Sequence, residues 1–363
     1  MNSISVAALS LAAGLLQFAS CQKNLKRPQG VPLSPRHEEN AQATMMFIVH
    51  GDGNYLYHDR SGNAHRADEE IVREVQRIGK GSSSAEVFLF HQKPGNGLLP
   101  LPRKNGVFYY FKQGALQQKL SYHRKSGLQA EVEILHRLTC AGVHSGERRS
   151  LCFFYFGHGI SEWQTANRTN RILTLSDLTT GLASLGACLR DDQKFDLAVL
   201  SSCYSGTTAI IGAISPYVRY VVASPENLHL SHFDLSLFHK EKISDMDAER
   251  LAFELASRSF QKLETSTETV VTVAVYDAQK TAGFLQEAAA NLAQGPPNYS
   301  DDDMAGIVYR DCFEDSTAEW AQVQYGVTVF YRPPRFGKMR NKLRHSGWDC
   351  WEIGEGTNAK AAN

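Results

Sequence analysis

Two side chains in this chain have the types needed for covalent acyl chemistry. Cys203 lies in Ser201-Ser202-Cys203-Tyr204-Ser205-Gly206, and His158 lies in Gly157-His158-Gly159, 45 residues earlier. A thiol becomes a nucleophile as its thiolate, and an imidazole within reach can hold or deliver the proton that acyl transfer moves. A lone cysteine after an apolar run is ordinarily a small buried hydrophobe. A lone histidine is ordinarily a satisfied polar group. The neighbours alter that balance. Gly159 lets backbone approach a substrate, Gly206 permits a tight turn, and Ser202 and Ser205 leave room round the thiol.

Both residues follow apolar runs of strand length. Leu151–Phe156 ends at Gly157, and Phe195–Leu200 ends at Ser201. Such runs bounded by Gly and Ser read as buried strands of a parallel sheet, whose carboxyl ends are where sites form in open α/β folds. Further strands are expected at Met45–His50, Glu86–Gln92, Val107–Lys112, Tyr217–Ala223 and Val270–Tyr276. Helical periodicity places helices at Ala67–Ile78, Gln129–Leu138, Leu175–Leu189, Asp247–Leu263 and Ala278–Leu292. Alternation of strand and helix predicts an α/β fold, a mostly parallel sheet covered by helices on both faces. A helix is also expected directly after Cys203, where its free N–H groups would lower the thiol pKa.

A strand ending His-Gly followed by one ending Cys-x-Ser-Gly resembles the caspase-like cysteine peptidases, and most closely the clostripain family. Four further stretches are similar to that family: Phe47–Asn54, Tyr220–Asn227, Val271–Leu292, and Gly326–Tyr331 with Ser346-Gly347-Trp348. The resemblance spans most of Met45–Trp351. It implies a caspase-like fold with a C-terminal extension and a cysteine endopeptidase activity. Cys203 would attack the scissile carbonyl, His158 would act as general acid, and backbone N–H groups of Gly159 and Cys203 would form the oxyanion hole. It implies no metal or organic cofactor. The family commonly carries Asp two residues before the nucleophile, at the floor of a pocket for Arg or Lys, and Ser201 stands there instead. A neutral hydroxyl does not balance a buried cation, so the preference should shift away from basic residues. Ser201 and Ser224 are expected at the substrate, with Glu226 and Asp234 as alternative acids from the next loop. Relatives are often activated by a cut between the His and the Cys, which corresponds here to Trp163–Ile172 with Arg168 and Arg171.

Composition narrows the alternatives. Lys plus Arg and Asp plus Glu are 38 each, which argues against nucleic-acid binding driven by bulk charge. A hydrophobic share of 42% in 363 residues fits a globular α/β chain. The expected partners are a peptide or protein substrate and a membrane, with the chain a monomer. Val6–Phe18 is apolar but too short to span a bilayer, and it ends at Ala19-Ser20-Cys21 before a polar stretch. Residues 1–21 therefore read as a secretory signal whose Cys21 would carry lipid, with an ordinary cleaved signal as the other reading. Residues 22–44 read as a tether, 45–235 as the catalytic core, 236–352 as its C-terminal part and 353–363 as a tail. The seven cysteines match no disulfide-scaffold or zinc spacing and are expected to be mostly buried thiols, with a disulfide between two of them left open in an exported protein.

Several motifs are set aside. Gly79-Lys80-Gly81-Ser82 lacks phosphate-loop spacing, and Asp301-Asp302-Asp303 lacks a calcium ladder. Asn167 and Asn298 match the glycosylation pattern, which matters only in a eukaryotic secretory route. His229 and His232 are expected near substrate rather than on a metal. Two other classes stay open: an inactive relative binding peptide or carbohydrate at the cell surface, and a thiol acyltransferase or ligase that resolves the same acyl-enzyme with an amine.

Overall fold

The computed structural model describes residues 42–51, 55–59, 61–93, 105–140, 150–162, 173–189, 194–240, 246–286, 307–314 and 323–353. The signal with Cys21, the Arg168/Arg171 segment, Asn298, Asp301–Asp303 and the second half of Ala278–Leu292 lie outside them.

In chain order the elements are β1 (Ala43–His50), β2 (Leu56–His58), β3 (Ala64–Arg66), α1 (Ala67–Gly81), β4 (Ala85–Gln92), β5 (Gly106–Lys112) and β6 (Ala115–Tyr122). They continue with α2 (Gln129–Cys140), β7 (Ser150–Phe156), α3 (Leu175–Leu189), β8 (Phe195–Ser201), α4 (Thr208–Ile214), β9 (Val218–Ala223) and α5 (Leu237–Lys240). The last are α6 (Ala248–Ser266), β10 (Val271–Asp277), β11 (Ile307–Asp311), β12 (Val327–Arg332) and β13 (Asp349–Ile353).

Nine strands form one mixed sheet in the order β12-β10-β9-β8-β7-β1-β4-β5-β6. The central five, β9 to β4, run parallel. The outer pairs on both sides are antiparallel. Central parallel strands need apolar side chains on both faces, and β1, β4 and β7 supply them. Alternate residues of β1 serve different cores. Met46 and Ile48 pack with α2, α3 and α4 on one face. Met45, Phe47 and Val49 pack with α1 and α6 on the other. The expected α/β sheet covered on both faces is what forms.

The C-terminal part does not simply pack alongside. β10 and β12 extend the main sheet, while β11 and β13 make a separate two-stranded sheet. A Cys312–Cys350 disulfide ties that small sheet together. The sequence leaves one such pairing open without naming its partners. The spacing of 38 residues carries no local signature, and antiparallel pairing of β11 with β13 brings the two together. Cys152, Cys188 and Cys203 keep their thiols.

Candidate active site

β7 and β8 are adjacent, and Phe156 pairs with Ser201. His158 and Cys203 each stand two residues beyond that pair, so the sheet register delivers both to one edge. Gly157 N–H donates to Ser201 O at 3.4 Å, which holds the two strand ends together. A Cβ built on Gly159 would lie 3.4 Å from the Cys203 carbonyl oxygen, so the histidine loop rests against the Cys203 loop.

The Cys203 loop is over-determined. Tyr204 takes a φ of +52°, a left-handed conformation unusual for a bulky residue. Three N–H groups hold it there. Tyr204 donates to Glu226 O at 3.1 Å, and Ser205 and Gly206 donate to Ser224 O at 2.9 and 3.2 Å. The Tyr204 ring stacks on Tyr309, with centroids 4.2 Å apart. A Cβ on Gly206 would meet the Tyr276 hydroxyl at 2.3 Å and Pro225 Cα at 2.8 Å, so only glycine fits.

The Cys203 thiol donates to Asn227 Oδ1 at 2.9 Å and accepts from Leu228 N–H at 3.3 Å. Burial pushes its pKa up. This reverses the expectation of a thiol activated by a helix starting directly after it. α4 begins only at Thr208, and the Thr207 side chain already caps it by accepting from Ile210 N–H at 3.1 Å. Four residues of loop separate thiol from helix, and desolvation dominates.

The expected substrate residues are placed as follows. Ser201 is fully buried, with its Oγ 3.1 Å from His232 Nδ1 and accepting from Phe233 N–H at 3.2 Å. Ser224 is also buried, and its hydroxyl donates to Glu226 O at 2.9 Å. Glu226 accepts from Thr272 Oγ1 at 2.5 Å and faces His345 at 3.8 Å. Burial raises its pKa. Asp234 accepts from Ser236 N–H and Oγ at 3.0 and 2.8 Å, closing its own turn. Ser201 and Ser224 therefore brace loops, and both carboxylates hold hydroxyl partners.

The site has further neighbours, of which sequence reasoning pointed to His232 and missed Lys262. His232 is buried with a φ of +58°. Burial and the nearby Lys262 charge depress its pKa to about 3, so it is neutral. Lys262 Nζ donates to the carbonyls of Ser231 and His232 at 3.1 and 3.5 Å. The His229–His232 pair was a visible signal. Lys262, on α6, offered none.

β13 also reaches the site, because Asp349 N–H donates to Gly206 O at 3.2 Å. Asp349 is 1% exposed, and neither carboxylate oxygen has a hydrogen-bond partner among the described residues. Burial, then Glu226 and Asp311, push its pKa from 3.8 to about 9. Between those two values the folded chain holds the proton more tightly than the unfolded one. The stabilisation is thus full below the unfolded value and is lost as pH rises toward 9. Burial raises Glu162 and Glu226 in the same direction. Asp349→Asn, which cannot ionise, should flatten the decline. Its Tm relative to wild type should rise steadily from about pH 5 to about pH 9. A constant difference in thermal melts across that range would refute the assignment.

Residues 150–325 match the clostripain family model. Among solved structures, the chain is similar to a secreted C11 cysteine protease from Bacteroides thetaiotaomicron in complex with an irreversible peptide inhibitor. That likeness has 12% identity and a TM-score of 0.52, covering 87% of this chain and 90% of that one. A second structure of a secreted C11 cysteine protease from that organism, iotapain, gives 11% identity and a TM-score of 0.53, over 85% and 93%. At such identities these likenesses speak to the fold. A curated relative, beta-glucosidase 3 of Arabidopsis thaliana, is 27% identical over 124 residues, 34% of this chain. The match spans about a fifth (21%) of that protein's length. Residues 150–325 hold β7 with His158 and β8 with Cys203, and over that stretch the chain matches the clostripain family.

Proposed function

We propose that the chain is an exported cysteine endopeptidase that uses Cys203 and His158. The observation that carries this reading is the register of β7 and β8, which sets both residues the same two steps beyond a paired strand end. Cys203 Sγ attacks the scissile carbonyl carbon, and the carbonyl oxygen takes the electron pair. Backbone N–H groups of Gly159 and Cys203 receive that oxyanion. His158 protonates the leaving amine as the C–N bond breaks, leaving a thioester that water hydrolyses. The raised thiol pKa makes the resting enzyme a neutral thiol, so Sγ passes its proton to His158 as it attacks, and that proton is the one His158 gives to the leaving amine. The test is a peptide-library cleavage profile joined to mass-spectrometric mapping of an irreversible peptide inhibitor. Covalent attachment at Cys203 is expected, and attachment elsewhere with cleavage intact would overturn the assignment.

Export and anchoring belong to the same proposal. The apolar run ending Ala19-Ser20-Cys21 and the polar stretch after it support a lipid on Cys21. The disulfide supports an oxidising compartment. Expressed in a bacterium, the full chain should fractionate with membranes, and Cys21→Ser should release it or leave its signal unprocessed. A soluble wild-type product beginning at another residue would point to an ordinary signal peptide.

A further inference from the structure

We propose that Tyr55 is the positioning residue for His158. This rests on the peptidase reading above. Three contacts converge on it. The ring stacks on the imidazole with centroids 4.5 Å apart and planes 14° apart. The Tyr55 hydroxyl accepts from His158 N–H at 3.1 Å and donates to His50 O at 2.6 Å. Tyr55 itself is 3% exposed, while His158 is only half-buried.

Each contact restrains a different freedom. The backbone hydrogen bond pins the amide of His158. The stack fixes the plane of its ring. A half-buried histidine otherwise samples several rotamers, and acid–base work needs one of them. Stacking covers one face of the ring and leaves its edge, which carries both nitrogens, uncovered by Tyr55.

The support beneath Tyr55 is rigid. His50 ends β1, and its ring hydrogen-bonds Gln92 of β4. Gln92 donates to Glu131 Oε1 at 2.8 Å, which also accepts from Tyr122 at 2.5 Å. Ala67 N–H donates to Tyr55 O at 3.0 Å, tying Tyr55 to the start of α1. The hydroxyl of Tyr55 thus links the catalytic loop to the sheet and to the buried network beside it.

The test compares Tyr55→Phe and Tyr55→Leu in the full chain. Tyr55→Leu should lower kcat about 10- to 100-fold with KM unchanged, because orientation and not substrate affinity is lost. Tyr55→Phe keeps the stack and should lose only about fivefold. A second readout needs no activity. In histidine-labelled protein, the His158 ring signals, assigned by their loss in His158→Asn, should be shifted upfield by the phenol. Tyr55→Leu should abolish that shift and Tyr55→Phe should keep it. If Tyr55→Leu does not fold, Tyr55→Phe carries the kinetic test, and an unchanged kcat there overturns the inference. Full activity of Tyr55→Leu beside an inactive His158→Asn overturns it while leaving the peptidase reading standing. A wild-type chain that cuts no peptide overturns the peptidase reading itself, and the ring signals alone then report whether the stack exists.

Discussion

Cys203→Ala is expected to lose all measurable peptide cleavage, and His158→Ala to lose at least about 10²-fold in kcat. The two losses should not add, since the residues act on one step. Thermal melts of both variants should stay near wild type. Cys203 hydrogen-bonds a side chain and a strand-end loop, and His158 is half-buried, so neither removal opens a core cavity. Alkylation by iodoacetamide gives a second measure. Burial holds the Cys203 pKa up, so the labelling rate in the free enzyme should still be climbing above about pH 8.5, where an ordinary thiol is half ionised. Undiminished cleavage by Cys203→Ala would sink the peptidase reading.

Wild-type enzyme is expected to prefer an uncharged side chain before the scissile bond over Arg or Lys, by about 10²-fold or more in kcat/KM. The position that carries an acid in relatives is Ser201, and its hydroxyl is held by neutral His232 and by Phe233 N–H. Lys262 places its ammonium behind the same loop. A basic side chain there would meet a cation, while Glu226 and Asp234 already hold hydroxyl partners, and an unpaired buried charge costs several kcal/mol. It follows that the chain should not cut itself after Arg168 or Arg171. Ser201→Asp should move preference toward basic residues only weakly. The new carboxylate would sit about 3 Å from His232 Nδ1, an ordinary hydrogen-bond distance, and draw a proton onto that ring. Ser201→Asp with His232→Asn should move it further. Cleavage profiles on paired substrates decide the matter. Efficient wild-type cutting after Arg, with processing at Arg168 or Arg171, would show that Glu226 or Asp234 gives up its present hydroxyl partner to serve the pocket.

The central fold was legible because it rests on local pattern. Leu175–Leu189 is the helix α3 with the bounds that its periodicity predicts, and the runs before His158 and Cys203 are β7 and β8. What local pattern does not encode is pairing at long range. β6, Ala-Leu-Gln-Gln-Lys-Leu-Ser-Tyr, is mostly exposed at a sheet edge and has no apolar run to reveal it. β11 and β13 exist because they pair with each other across the disulfide. The candidate site divides in the same way. Cys203 and His158 announce themselves by small neighbours after strands. Tyr55, Lys262 and Asp349 arrive from elsewhere in the chain and look like ordinary aromatic, surface and tail residues. The thiol environment was misread because a helix was placed too close, and a capped helix five residues away does not offset burial.

The Cys312–Cys350 bond and the free thiol of Cys203 make opposite demands on their surroundings. The bond staples β11 to β13. β11 supplies Tyr309 against Tyr204, and β13 supplies Asp349 against Gly206. A strong reductant that keeps Cys203 fresh also opens the staple that seats its loop. A strong oxidant preserves the staple and caps the nucleophile. On the peptidase reading proposed above, the working range of redox potential therefore has two edges, bounded by the chain's own two kinds of sulfur.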